Sequence, residues 1–148
     1  MTSRRNMNVL LAEDNPAEAY LTEQAFKELD NAGSRQLHHV KDGEEALKFL
    51  HREGDFADVP RPDLVLLDIN MPRKTGFDVL KSIRADEQLR MLPVLMLTTS
   101  SSDSDIETAY KEHANCYLTK PTDIDQFFEL VKNIDTFWLA QAKLPYIH

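Results

Sequence analysis

Leu64-Val65-Leu66-Leu67-Asp68 is a short, unbroken apolar run that ends on a carboxylate. Two other runs share its form, Val9-Leu10-Leu11-Ala12 before Glu13 and Val94-Leu95-Met96-Leu97 before Thr98. Apolar runs of this length, without polar alternation, fit parallel strands covered on both faces. Working outward, strands are predicted over Asn8–Ala12, Gln36–Val40, Leu64–Asp68, Val94–Thr98 and Cys116–Leu118, the second being more polar and so nearer an edge. Segments of helical period fill the gaps. Asn15-Pro16-Ala17-Glu18 supplies a cap residue, a proline at the first helical position and a glutamate three after the cap, opening a helix that runs to about Leu29. Asp42 and Glu45 repeat that spacing before Ala46, Leu47, Phe49 and Leu50. Further helices are predicted from Gly76 (Phe77, Leu80 and Ile83 on one face), after Asp103 (Ile106, Ala109, Tyr110), and from about Asp123 towards Ala142. Five strand-helix units with right-handed crossovers imply a doubly wound α/β fold: a flavodoxin-like (βα)5 three-layer sandwich with parallel sheet order 2-1-3-4-5.

The chain has 148 residues, 42% hydrophobic and 28% charged, the size and composition of one globular domain. With 25 acidic against 17 basic side chains, the formal charge of -8 repels phosphate backbones and argues against nucleic acid as a partner. Cys116 is the sole cysteine, which excludes an internal disulfide or a multi-thiolate metal site and fits a reducing compartment. Behind Arg4 and Arg5 the apolar stretch runs only from Val9 to Ala12, too short for a signal sequence or a membrane span, so a cytoplasmic location without membrane association is expected.

In a doubly wound sheet, ligands sit beyond the carboxyl ends of the strands, at the point where strand order reverses. The residues at those ends are all polar: Glu13 and Asp14, Asp68 and Asn70, Thr98 and Thr99, Thr119 and Lys120. Three converging carboxylates repel one another unless a cation joins them, and hard oxygen donors favour Mg²⁺. Lys120 would stand opposite as a fixed positive charge, in a site suited to phosphoryl groups.

These stretches closely resemble the receiver domain of two-component response regulators. The resemblance is carried by Val9 to Pro16, by Leu64 to Pro72 with Gly76-Phe77, by Val94 to Thr98, and by Tyr117-Leu118-Thr119-Lys120-Pro121. It implies that Asp68 is the phosphoacceptor and that Glu13, Asp14, Asp68 and the backbone carbonyl of Asn70 hold Mg²⁺. It also implies that Thr98 is the switch hydroxyl, Lys120 the active-site lysine, Lys120-Pro121 a cis peptide, and Tyr117 the aromatic that moves with Thr98. The donor would be a phosphohistidine of a sensor histidine kinase. The protein would be a phosphoacceptor that catalyses only its own phosphotransfer and dephosphorylation, rather than an enzyme of small substrates. The extended loop Gly54 to Arg61, the run Thr98 to Asp103 and Phe137-Trp138-Leu139 look like the stand-alone regulators paired with cyanobacterial phytochromes, which are generally dimeric.

After Ala142 only Lys143 to His148 remain, so the expectation is a single receiver domain over 1–148, with its core at about 8–142 and no output domain. It would act on another protein, of unknown identity, or through self-association. The last helix bears on the second route. Ile124, Phe127, Val131, Ile134, Trp138 and Ala142 form one stripe, flanked by Phe128 and Leu139 on one side and Leu130 and Phe137 on the other, widening the apolar arc to roughly 200°. A homodimer through the fourth helix, fifth strand and fifth helix, using Phe128, Leu130, Phe137 and Leu139, is therefore expected.

Two other chemistries share the architecture. A flavodoxin-type flavin carrier needs a Ser/Thr/Gly-rich phosphate loop where Glu13-Asp14-Asn15-Pro16 stands. A Mg²⁺-dependent phosphatase with an aspartate nucleophile needs a second acid two residues after it, where Asn70 stands. His38, His39, His51, His113 and His148 lack metal spacing, and Cys116 reads as a small strand residue.

Overall fold

In the computed structural model, which describes residues 6–146, five strands form one parallel sheet in the order β2-β1-β3-β4-β5. Arg4, Arg5 and His148 lie outside the described residues. The strands are β1 (Met7–Ala12), β2 (Arg35–Val40), β3 (Leu64–Leu67), β4 (Val94–Thr98) and β5 (Cys116–Thr119). Between and after them come α1 (Pro16–Lys27), α2 (Gly43–His51), α3 (Gly76–Ala85), α4 (Asp103–Lys111) and α5 (Ile124–Ile134). Among the described residues no helix is long and apolar enough to cross a membrane.

The unbroken apolar runs are explained by the two cores they feed. Alternate side chains of each strand point to opposite faces. Leu10, Val65, Leu67 and Met96 meet α2, α3 and Ala109 of α4, while Val9, Leu11, Leu66, Leu95 and Leu97 meet α1 and α5. Register is set accordingly: Leu10 pairs with Val65, Leu67 with Met96, and Thr98 with Thr119, so the carboxyl ends of β1, β3, β4 and β5 share one edge of the sheet.

The helix starts are chemically specified. Thr75 and Asp78 form a reciprocal capping box on α3, and Ser102 and Asp123 accept from Asp105 and Gln126 at the starts of α4 and α5. At α1 the outcome departs from the capping-box expectation. Asn15 accepts from Ala17 and Glu18, but the Asn15 N–H is taken by Glu13 Oε2 at 3.1 Å, leaving the Glu18 carboxylate for another partner.

The end of the chain also differs from expectation. After Ile134 the backbone widens into a π-helical stretch, Asp135–Gln141, closed by Ala142 N–H donating to the Phe137 carbonyl. A π turn places more residues in each revolution, so the phase of an α-helical wheel fails beyond it. Leu139, expected on the outer flank, is only 2% exposed and belongs to the α1/α5 core, whereas Phe137 is 55% exposed. Ile124, expected in the core stripe, is the first residue of α5 and is 59% exposed. Phe128, Leu130 and Trp138 are half-buried against the core.

Candidate functional site

The shared edge of the sheet gathers the predicted acids. One carboxylate oxygen each from Glu13, Asp14 and Asp68 lies within 4.8 Å of the other two. Glu13 and Asp68 are buried, at 1% and 8% exposure, while Asp14 is open to solvent. Backbone amides fix the two buried acids. Ile69 N–H donates to Asp68 Oδ1 at 2.7 Å and Asn15 N–H to Glu13 Oε2 at 3.1 Å, which leaves the remaining oxygen of each for other partners. Asn70 follows in the β3–α3 loop, exposed between buried Ile69 and Met71.

Lys120, 8% exposed, reaches this cluster from the end of β5. Its ammonium donates to Glu13 Oε1 in a very close contact and to Glu18 Oε1 at 2.7 Å, and it stands 3.6 Å from Asp68 Oδ2. Burial pulls the lysine pKa down, but the facing carboxylates outweigh it and leave the group above its ordinary value. Glu13 goes the other way for a carboxylate. Burial pushes it up to about 7 and the Asp68 charge adds to this, against the pull of Lys120 and the Asn15 amide. One ammonium thus faces three carboxylates, with Asp14 beside two of them, a surplus of negative charge that a divalent cation would relieve. The donors are hard oxygens converging from two strand ends, which fits Mg²⁺ or a similar ion.

The Lys120–Pro121 bond is trans, contrary to the cis geometry that the resemblance implied. The lysine reaches its carboxylates from that backbone, so the proline keeps the isomer it ordinarily favours by about 0.5–1 kcal/mol.

Thr98 is fully buried, and its Oγ1 lies 3.5 Å from Ser100 N–H, a long contact. The Tyr117 hydroxyl donates to the Ser100 carbonyl at 2.9 Å, and its half-buried ring packs against the α2/α3 core. Tyr117 therefore already lies against the β4–α4 loop. Ser100 Oγ in turn donates to Asp105 Oδ2 at 2.6 Å, joining that loop to the first turn of α4. The Tyr117 amide is held by the Tyr110 hydroxyl at 3.1 Å.

One participant escapes the sequence: Glu18 reads there as a capping residue. Ser100 reads there, with Thr99, as a small polar residue near the site that tunes water access and phosphoryl lifetime, and the structure adds its contacts to Tyr117 and Asp105. Only the placement of the first turn of α1 at the carboxyl edge of the sheet, within reach of the Lys120 side chain, makes Glu18 its partner. Of the other residues considered, His39 Nε2 lies 2.7 Å from the Glu13 carbonyl oxygen and His38 Nε2 lies 3.0 Å from Asn8 Oδ1. Cys116 is half-buried on β5, and burial pushes its thiol pKa up, away from thiolate reactivity.

Comparison with known proteins agrees with this arrangement. The response regulator receiver domain profile matches residues 9–132. The response regulator Rcp1 of Synechocystis sp. is 38% identical over 137 residues, covering 93% of this chain and 92% of that protein. FilR2 of Methanothrix harundinacea, a probable methanogenesis regulatory protein, is 40% identical over 138 residues, covering 93% and 86%. Among solved structures, the phosphorylated cyanobacterial phytochrome response regulator RcpA superposes with a TM-score of 0.90 at 40% identity, covering 95% of this chain and 99% of that one. The Mn²⁺-bound form of Rcp1 gives 0.85 at 37%, with the same coverage. With the profile spanning most of its length and the acidic cluster at the strand ends where the fold requires it, the chain belongs to the response regulator receiver domain family.

Proposed function

We propose that this receiver accepts a phosphoryl group on Asp68 from the phosphohistidine of a sensor kinase, in a Mg²⁺-dependent reaction, and signals by a change in its protein contacts. The observation that carries this reading is the setting of Asp68, buried at the end of β3, with Oδ1 fixed by an amide and Oδ2 facing Lys120. Asp68 Oδ2 forms the new bond to phosphorus as the donor's P–N bond breaks. The Ile69 amide orients the carboxylate, and Lys120 places positive charge beside the transferred oxygens. Glu13, Asp14, Asp68 and the Asn70 carbonyl would hold the cation, which supplies further charge compensation on those oxygens when bound. Thr98, at the end of the neighbouring strand, offers its hydroxyl to the new anion. Through Ser100 such a movement reaches Tyr117 and α4. Asn70 has no acidic proton to give a leaving group, which disfavours the phosphatase alternative.

The kinase in this reading is of the phytochrome type. The support is likeness to RcpA, described as a phytochrome response regulator, and to RPA3017, described as acting in red light signalling of R. palustris, with a TM-score of 0.86 at 38% identity. The deciding experiment incubates the protein with Mg²⁺ and acetyl phosphate and follows intact mass. The wild type gains one phosphoryl group and Asp68→Asn gains none; an unmodified wild type, or an equal adduct on the variant, would overturn the assignment.

A homodimer through the α5 face belongs to the same proposal, now centred on Phe137. That ring packs edge-on against Trp138, with centroids 5.4 Å apart, and is more than half exposed, while Phe128 and Leu130 of α5 are half-buried. Leu139 lies inside the core and drops out of the contact. Phe137→Glu is expected to halve the mass seen by light scattering while leaving the circular dichroism spectrum of the fold unchanged. An unchanged dimer mass would place the contact elsewhere.

A further inference from the structure

We infer that Glu18 is a positioning residue for Lys120, tying its ammonium in the resting protein and competing with the incoming phosphoryl group for it. The inference rests on the reading of Asp68 as phosphoacceptor. Lys120 Nζ is 2.7 Å from Glu18 Oε1 and in close contact with Glu13 Oε1, yet 3.6 Å from Asp68 Oδ2, beyond hydrogen-bond distance. To reach an oxygen attached to Asp68, the ammonium must give up part of this hold. The two holding carboxylates are not equivalent. The Glu13 side chain is 2% exposed and its second oxygen is already committed to the Asn15 amide, so it stays. The Glu18 side chain is 35% exposed and sits on the first turn of α1, where water can replace the lysine. Glu18 is therefore the partner that lets go. Its charge has a second consequence of the same sign, since a third carboxylate against the lysine takes up positive charge that the transferred group needs.

The reaction that exposes this is transfer from acetyl phosphate. The bond from Asp68 Oδ2 to phosphorus forms as the phosphorus–oxygen bond to the acetyl group breaks, and acetate departs with the electron pair. Glu18→Gln keeps the size and an acceptor oxygen but removes the charge. It is expected to raise the rate of adduct formation with Mg²⁺ and acetyl phosphate roughly threefold to tenfold, a fraction of the worth of one charge-assisted hydrogen bond.

The same substitution in a Lys120→Met background is expected to change nothing, because Glu18 acts through the lysine. A spectroscopic readout accompanies the kinetics: the Lys120 ammonium resonance, followed by nitrogen NMR without Mg²⁺, exchanges with water faster in Glu18→Gln than in wild type. A slower or unchanged rate in Glu18→Gln overturns the inference. So does an equal acceleration in both backgrounds, which would make Glu18 only a charge that repels the anionic donor. Glu18→Ala, with its fold checked by circular dichroism, must accelerate in the same direction. A wild type that forms no adduct would fail the Asp68 assignment itself, an outcome distinct from a normal wild type with an unresponsive Glu18 variant.

Discussion

Asp135→Ala lowers the unfolding free energy by about 3–5 kcal/mol, the usual cost of removing one partner from a buried ion pair. Arg35 Nε donates to Asp135 Oδ1 at 2.5 Å, with the arginine side chain fully buried and the aspartate 10% exposed. The pair spans 100 residues, joining the first residue of β2 to the first residue of the π-helical stretch. Removing the carboxylate leaves a guanidinium that cannot deprotonate and cannot easily reach water. Urea unfolding measures the loss, and a shift in midpoint worth less than about 1 kcal/mol would show that the pair behaves as a solvated surface bridge.

The comparison that separates pairing from packing is Arg35→Met/Asp135→Leu. Its stability is expected to recover most of the loss, because two apolar side chains remove both desolvation costs together. Trp138, the single tryptophan, lies three residues beyond Asp135 and reports locally. Its fluorescence is expected to shift in Asp135→Ala, where the anchor of the widened turn has gone, before global unfolding begins.

The same pair marks the boundary of what the sequence makes legible. The strands could be read because parallel strands buried on both faces must be apolar at consecutive positions, as Leu64 to Leu67 are. The acidic cluster could be read because a topological rule sends ligand-binding groups to the carboxyl ends of the strands, wherever the intervening helices lie. Neither inference needs the helices placed. The Lys120–Glu18 and Arg35–Asp135 contacts do need them placed, since each joins a strand to a helix about a hundred residues away. Leu139 went astray for a different reason. A wheel of constant pitch is a sound guide along α5, where Phe127, Val131 and Ile134 are buried as expected, but no local signal announces the wider turn that follows.

Gly76→Ala tests how tightly the phosphoacceptor position depends on backbone contact rather than on side chains. A Cβ at Gly76 would lie 2.2 Å from the Asp68 carbonyl oxygen and 2.9 Å from the Ile69 Cα. Both are backbone atoms, so no side-chain rotation relieves the clash. The Gly76 amide also donates to the Ile69 carbonyl at 2.8 Å, which holds α3 against the end of β3. A second notch faces it across the loop, where a Cβ at Gly43 would lie 2.0 Å from the Lys74 carbonyl oxygen. The loop between Asp68 and Thr75 is thus seated against two helix starts, and it carries Asn70 and the amide that fixes the Asp68 carboxylate.

Gly76→Ala must push α3 away or displace Asp68. The expected stability loss is about 3 kcal/mol, the upper range for overpacking. The rate of adduct formation with acetyl phosphate is expected to fall by about tenfold or more, because displacements near 1 Å at a reacting group cost rates of that order. Gly33→Ala is the control, since nothing lies within 4 Å of its added Cβ and its backbone is not in the left-handed region, so stability is expected to hold or rise slightly. A Gly76→Ala protein that matches the control in both urea midpoint and adduct rate would show that α3 moves freely, and that Asp68 is positioned by β3 and the Ile69 amide without help from the helix.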